Sequence, residues 1–149
     1  ATAIFGGRVL ASHQNVRQLV PDQRQFTDEQ LRLVIERDGV VGAAFDAWML
    51  QPNYVRGESK PCVTLETVVD HIQYVCDLAG NARHAAIGTD LDGGFGTEQS
   101  PTDIDTIADV IKIAEVLSRR GFSDADIDLI LFGNWCRFWR EALPSMERR

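Results

Sequence analysis

The chain has 149 residues, 44% of them hydrophobic and 25% charged, with a formal net charge of −7. This length suits one domain and is enough to bury a real core, which excludes a largely disordered chain. The negative charge excludes a general affinity for nucleic acid or an anionic membrane, but not a local basic site for a small anion. Cys62, Cys76 and Cys136 are too few and too scattered for a disulfide framework or a Cys-rich zinc site, and read as reduced, packed small hydrophobes. No apolar run approaches the roughly 18–20 residues that span a bilayer, and no secretion signal is visible, so a cytoplasmic location is expected. The chain starts almost directly with a strand, so an upstream part, with any targeting signal in it, is expected to be missing.

Three strand-then-helix units follow in order. The first strand covers about Arg8 to Ser12. Its helix starts at Thr27-Asp28-Glu29-Gln30, a capping box with Phe26 and Leu31 as a hydrophobic staple, and ends at Gly39 as a left-handed cap. The second strand, Val40 to Phe45, is apolar on both faces, as a buried parallel strand should be. A long loop, Asp46 to Val63, follows, of a length that often serves as a lid or binding loop. The second helix runs from about Leu65 to Ala79, with Val68, Val69, Ile72 and Val75 at helical spacing and Gly80 closing it. The third strand is Ala85 to Thr89. Its helix, near Asp103 to Arg120, is expected to bury Ile104, Ile107, Ala108, Ile111, Ala114 and Leu117. Ser123 starts a short fourth helix, and Asn134 caps a last one carrying Trp135, Phe138 and Trp139 as core residues. Pro144 and Glu147-Arg148-Arg149 are expected to fray. Repeated β-α alternation means parallel strands joined by right-handed crossovers. Three such strands cover a sheet poorly, and a piece of an eight-stranded barrel fits better.

The functional rim of such a sheet lies at the carboxyl ends of its strands. His13 follows the first strand and Asp90 the third, a metal-binding type and an acid-base type, which points to metal-assisted chemistry. Each has an alternative reading: His13 as a structural histidine, Asp90 as a carboxylate that only bonds its own turn. Asp90-Leu91-Asp92-Gly93 is not an EF-hand loop, because the twelfth position from Asp90 is Pro101. It also has the form of the Asp-x-Asp-Gly of haloacid dehalogenase-type phosphatases, with Asp90 as nucleophile, though there the motif opens the domain. Arg24 has the character of a solvated loop residue. His71 and His84 fall on the side away from the rim.

Taken together, Ala11-Ser12-His13-Gln14-Asn15, Arg24 to Leu31, Asp70-His71-Ile72, Gly80 to His84, Ile87-Gly88-Thr89-Asp90-Leu91-Asp92-Gly93 and Gly133-Asn134-Trp135-Cys136-Arg137-Phe138 resemble, in order, the motifs of the membrane (renal) dipeptidases, the M19 metallopeptidases. The resemblance implies the C-terminal part of a (β/α)8 TIM barrel of the amidohydrolase superfamily, about strands six to eight, over residues 1–149. It also implies two bridged zinc ions and hydrolysis of dipeptides. By resemblance His13 is a zinc ligand, Arg24 holds the substrate's terminal carboxylate, and Asp90 carries a proton. The family's remaining metal ligands have no counterpart in this sequence. A catalytic zinc needs about three protein ligands, so the 149 residues alone are expected to be inactive. Completion by a missing N-terminal half or another chain, and a homo-oligomer, are the expected partnerships. A non-catalytic fragment is the third class of reading.

Overall fold

The computed structural model describes residues 5–143; the expected frayed end at Pro144 and Glu147-Arg148-Arg149 lies outside them. Three strands form one parallel sheet in the order β1 (Leu10–Ala11), β2 (Val40–Ala43), β3 (Ala85–Ile87). Leu10 pairs with Val40, Val41 with Ala85 and Ala43 with Ile87. The regular strands are shorter than the apolar runs that announced them. Beyond them pairing continues as single bonds, from Gln14 N–H to the Gly42 carbonyl at 2.7 Å and from Phe45 N–H to the Thr89 carbonyl at 3.0 Å.

Helix α1 (Asp28–Glu36) begins with the expected capping box of Thr27 and Gln30. Its end differs from expectation. Asp38, not Gly39, takes the left-handed conformation, at φ 51°. Gly39 serves close approach instead, because a Cβ there would overlap the Val9 carbonyl oxygen. The expected loop after β2 contains a short helix, α2 (Ala47–Leu50), capped by Asp46, with Ala47, Met49 and Leu50 buried. Helix α3 (Leu65–Ala79) runs as expected and ends on Gly80 at φ 73°.

The next helix differs in kind. Ile107–Lys112 is a 3₁₀ turn, followed by α4 (Ile113–Arg119). Ile107 and Ile111 are 72% and 66% exposed, and Ala108 is exposed too, while Ile104, Ile113, Val116 and Leu117 are buried. A 3₁₀ segment has about three residues per turn, so its isoleucines fall out of phase with the buried stripe of α4.

Helix α5 (Asp124–Asp128) is capped by Ser123 and continues through one wide π-turn, Leu129–Gly133, into α6 (Asn134–Ala142). Asn134 is therefore not a cap; it is helical at φ −65°, and its amide donates to the carbonyls of Ala82 at 2.7 Å and Ala85 at 2.8 Å.

Strand alternation divides the core. Ala11, Val41, Ala43 and Ala85 join Leu31 and Val34 of α1 and Val68 and Ile72 of α3. The opposite face, with Leu10, Val40 and Ala86, receives Phe138 and Trp135 of α6. The second face is thus partly covered from within the chain, and burying Phe138 contributes about 2 kcal/mol. Trp139 is 47% exposed and is not core. Of the three free cysteines only Cys76 is buried, its thiol pushed up to about 12 chiefly by loss of solvation; Cys62 and Cys136 are exposed.

Candidate active site

The carboxyl rim is shaped by two glycines, Gly42 in β2 and Gly88 just past β3. A Cβ at Gly42 or at Gly88 would overlap the Ser12 carbonyl oxygen, so the chain leaving β1 leans across β2 and reaches β3. This brings the backbone beside His13 to within a contact of Gly88, two residues before Asp90. His13 is half-buried, and its Nδ1 lies 2.8 Å from the Ser12 hydroxyl. The rest of the ring has no hydrogen-bond partner among the described residues.

Asp90 sits at φ 58°, a left-handed position that aspartate tolerates better than most side chains. The turn is closed by Gly93 N–H donating to the Asp90 carbonyl at 2.8 Å. Among the described residues the Asp90 carboxylate takes no hydrogen bond and no ion pair. Beside this turn lies a cleft of about 370 Å³ lined in part by Thr89, Leu91, Asp92, Phe95 and Ile104.

Arg24 lies on an arm, residues 13–26, between β1 and α1. Its backbone is held at both sides: Arg24 N–H donates to Asp22 Oδ1 at 2.8 Å, and its carbonyl accepts from Gln14 Nε2 at 2.7 Å. Its guanidinium is exposed and makes no hydrogen bond or ion pair with His13 or Asp90. The arm itself is fixed by fully buried amides. Asn15 exchanges bonds with Ala44, donating from Nδ2 to its carbonyl at 3.1 Å and accepting its N–H at 2.9 Å, and also donates to the Met49 carbonyl. Gln25 Nε2 donates to the same Met49 carbonyl at 3.0 Å.

Gln14, Asn15 and Gln25 carry no assigned role in the sequence reading. The available signal was their type: uncharged amides next to candidate residues, which are costly to bury unless bonded. Asp46 was also missed. It is buried, accepts from Gln99 Nε2 at 2.8 Å and from Trp48 N–H at 3.2 Å, and lies 3.4 Å from Arg56. Burial raises its carboxyl above the ordinary aspartate range. It thereby joins the segment after β2 to the segment after β3.

The other histidines stand away from the rim chemistry. His84 is buried 2.9 Å from the Gly39 carbonyl, at the amino end of the sheet. His71 is buried on α3 beneath the arm. Among the described residues no group of three or more His, Cys, Asp or Glu side chains stands together to hold a metal. His13 by itself does not make a zinc site, for which about three protein ligands are needed.

Known proteins resemble this chain along nearly its whole length. Residues 8–148 match the family described as membrane dipeptidase (Peptidase family M19). An uncharacterized protein in the pqqA 5′ region of Klebsiella pneumoniae is 32% identical over 129 residues, which are 87% of this chain and 45% of that protein. Dipeptidase aclJ of Aspergillus oryzae is 31% identical over 129 residues, 87% of this chain and 28% of that protein. This chain thus spans less than half the length of either relative. A metallo peptidase from Rhodobacter sphaeroides, solved with a phosphinate mimic of the dipeptide L-Ala-D-Ala, superimposes with a TM-score of 0.82 at 22% identity, over 95% of this chain and 38% of its own. The probable dipeptidase PvdM of Pseudomonas aeruginosa gives 0.82 at 21%, over 95% and 46%. The structural likeness shows the fold, in which the three parallel strands and their helices are part of a (β/α)8 barrel. By the match across residues 8–148, this chain belongs to the membrane dipeptidase family, peptidase family M19.

Proposed function

We propose that the whole protein is a metal-dependent peptidase hydrolysing dipeptides that carry a free terminal carboxylate. The family match across residues 8–148 carries this reading. Support from the chain's own chemistry is the combination of a fixed backbone and free polar heads at one rim. Arg24 is held at its N–H and its carbonyl with the guanidinium left open, a suitable fork for a carboxylate. Asp90, in a closed turn with an unpartnered carboxylate, is the group for carrying a proton to the leaving amine. His13 supplies one ligand of a zinc site whose other ligands lie outside these residues. On that ligand count the 149 residues alone bind no catalytic metal and turn over no dipeptide. No observation favours the phosphatase alternative.

The test is a dipeptide panel, L-Ala-D-Ala included, assayed on the whole protein with zinc, with chelator, and with a phosphomonoester panel alongside. Dipeptide release abolished by chelation and restored by zinc is expected. Phosphate release that survives His13→Ala but not Asp90→Asn would overturn the reading.

A further inference from the structure

Between His13 and Arg24 the arm turns through Val16, whose N–H is buried and points away from the rim toward α3. It donates to Nδ1 of His71 at 3.0 Å, a bond between residues 55 apart in sequence. Because Nδ1 accepts, the neutral ring carries its proton on Nε2. Nε2 is buried and finds no partner among the described residues. A side chain kept only to fill this space would be better served by leucine, which carries no polar atom of its own to bury. The feature that distinguishes imidazole here is the acceptor it offers Val16.

The position of that acceptor matters. Val16 pairs in parallel with Phe26 on the later half of the arm, where Arg17 N–H meets the Phe26 carbonyl at 2.9 Å and Phe26 N–H meets the Asn15 carbonyl at 3.0 Å. Pinning Val16 therefore pins both strands of the arm, the one leaving His13 and the one leaving Arg24. The side-chain anchors from Asn15 and Gln25 reach Ala44, just past β2, and Met49 of α2, whereas His71 ties the arm to α3.

We propose that His71 is a positioning residue for this site, holding the arm that carries His13 and Arg24 in register by accepting the Val16 N–H. The proposal deepens the peptidase reading and rests on it for the roles of His13 and Arg24. Burial lowers the imidazole to about 4, so the ring remains an acceptor at neutral pH.

The test compares unmodified whole protein with His71→Leu and His71→Asn, whose Oδ1 can replace Nδ1 as acceptor. Amide exchange at Val16 should speed up about 100-fold in the leucine variant while Ile72 on α3 changes by less than about 3-fold, and asparagine should restore protection. In the kinetic arm, leucine should raise KM for a dipeptide about 10-fold with kcat little changed, and asparagine should reverse it. Unchanged Val16 exchange in His71→Leu, or failure of His71→Asn to restore it while α3 stays protected, overturns the proposal. Should the leucine variant not fold, ring ¹⁵N shifts of the unmodified protein decide: an unprotonated Nδ1 supports the proposal and an Nδ1–H tautomer overturns it. If the unmodified protein hydrolyses no dipeptide, the peptidase reading fails, and exchange at Val16 still decides whether His71 holds the arm.

Discussion

The two ends of the sheet use polar side chains in opposite ways. At the amino end Asp38 is surrounded: Arg8 lies 2.6 Å from its carboxylate, and Arg83 and Arg137 each 3.0 Å. Glu141 of α6 adds a second partner for Arg8 and stands 3.8 Å from Arg137. The Arg83 bond, more than any other influence, holds the Asp38 carboxyl below the ordinary aspartate range. At the carboxyl end the pattern reverses. Asn15, Gln14 and Gln25, all uncharged and buried, hold the backbone, while the heads of Arg24 and Asp90 take no partner among the described residues. Charges that tie elements together are consumed by their counter-ions. On the proposed reading the heads of Arg24 and Asp90 stay open for a ligand, and the buried neutral amides share the holding with the Asp22 and Asp46 carboxylates.

This contrast predicts that removing an open side-chain head at the rim alters turnover, whereas changes to backbone packing or to paired charges alter stability. The largest effect belongs to Asp90→Asn in the whole protein, where kcat for a dipeptide should fall about 1,000-fold. Its KM and unfolding midpoint should barely move; a large loss of stability instead would place Asp90 among the structural residues. Second is Gly88→Ala, whose methyl meets the backbone oxygen of Ser12 and has no flexible side chain to displace. A loss of about 3 kcal/mol in denaturant unfolding is expected. An unchanged midpoint would mean that β1 does not need to cross toward β3.

Acid should act through His71. Its folded-state value is lowered from 6.5 to about 4, so the unfolded chain binds the proton first as pH falls. The stability from keeping this ring neutral is complete above about pH 6.5 and is lost progressively toward about pH 4, a change of about 3 kcal/mol. Unfolding measured across that window should lose this slope in His71→Asn. The smallest effect is expected from Asp38→Asn, which removes the charge and keeps a side chain that tolerates the left-handed backbone. Its carboxylate is a third exposed, and partly exposed ion pairs contribute little, so about 1 kcal/mol of stability should go, with dipeptide kinetics unchanged.

Much of the fold was legible because its signals are local and periodic. The Thr27–Gln30 box and the Leu65–Ala79 stripe stand where the residues put them. The misreadings occurred where a tertiary contact overrides the local pattern. Asn134 has the type of a helix cap, yet its amide is used by the Ala82 and Ala85 carbonyls and the helix passes through it. Ile107 and Ile111 have helical spacing, but the segment winds as a 3₁₀ turn and turns them outward. At the candidate site, His13 and Asp90 were legible as chemistry-bearing types at strand ends. The buried amides that hold Arg24 were not, since their partners are backbone groups about ten to thirty-five residues away.

If the open charges at the carboxyl rim receive a dipeptide as proposed, the Arg24 guanidinium sets the preference for a free carboxylate. Steady-state kinetics of the whole protein on a dipeptide and on its C-terminal amide give kcat/KM for each, in unmodified form and in Arg24→Ala. The expected result is a strong preference for the free carboxylate in the unmodified protein that drops about 100-fold in the variant, mostly through KM. A preference that survives Arg24→Ala intact would contradict it.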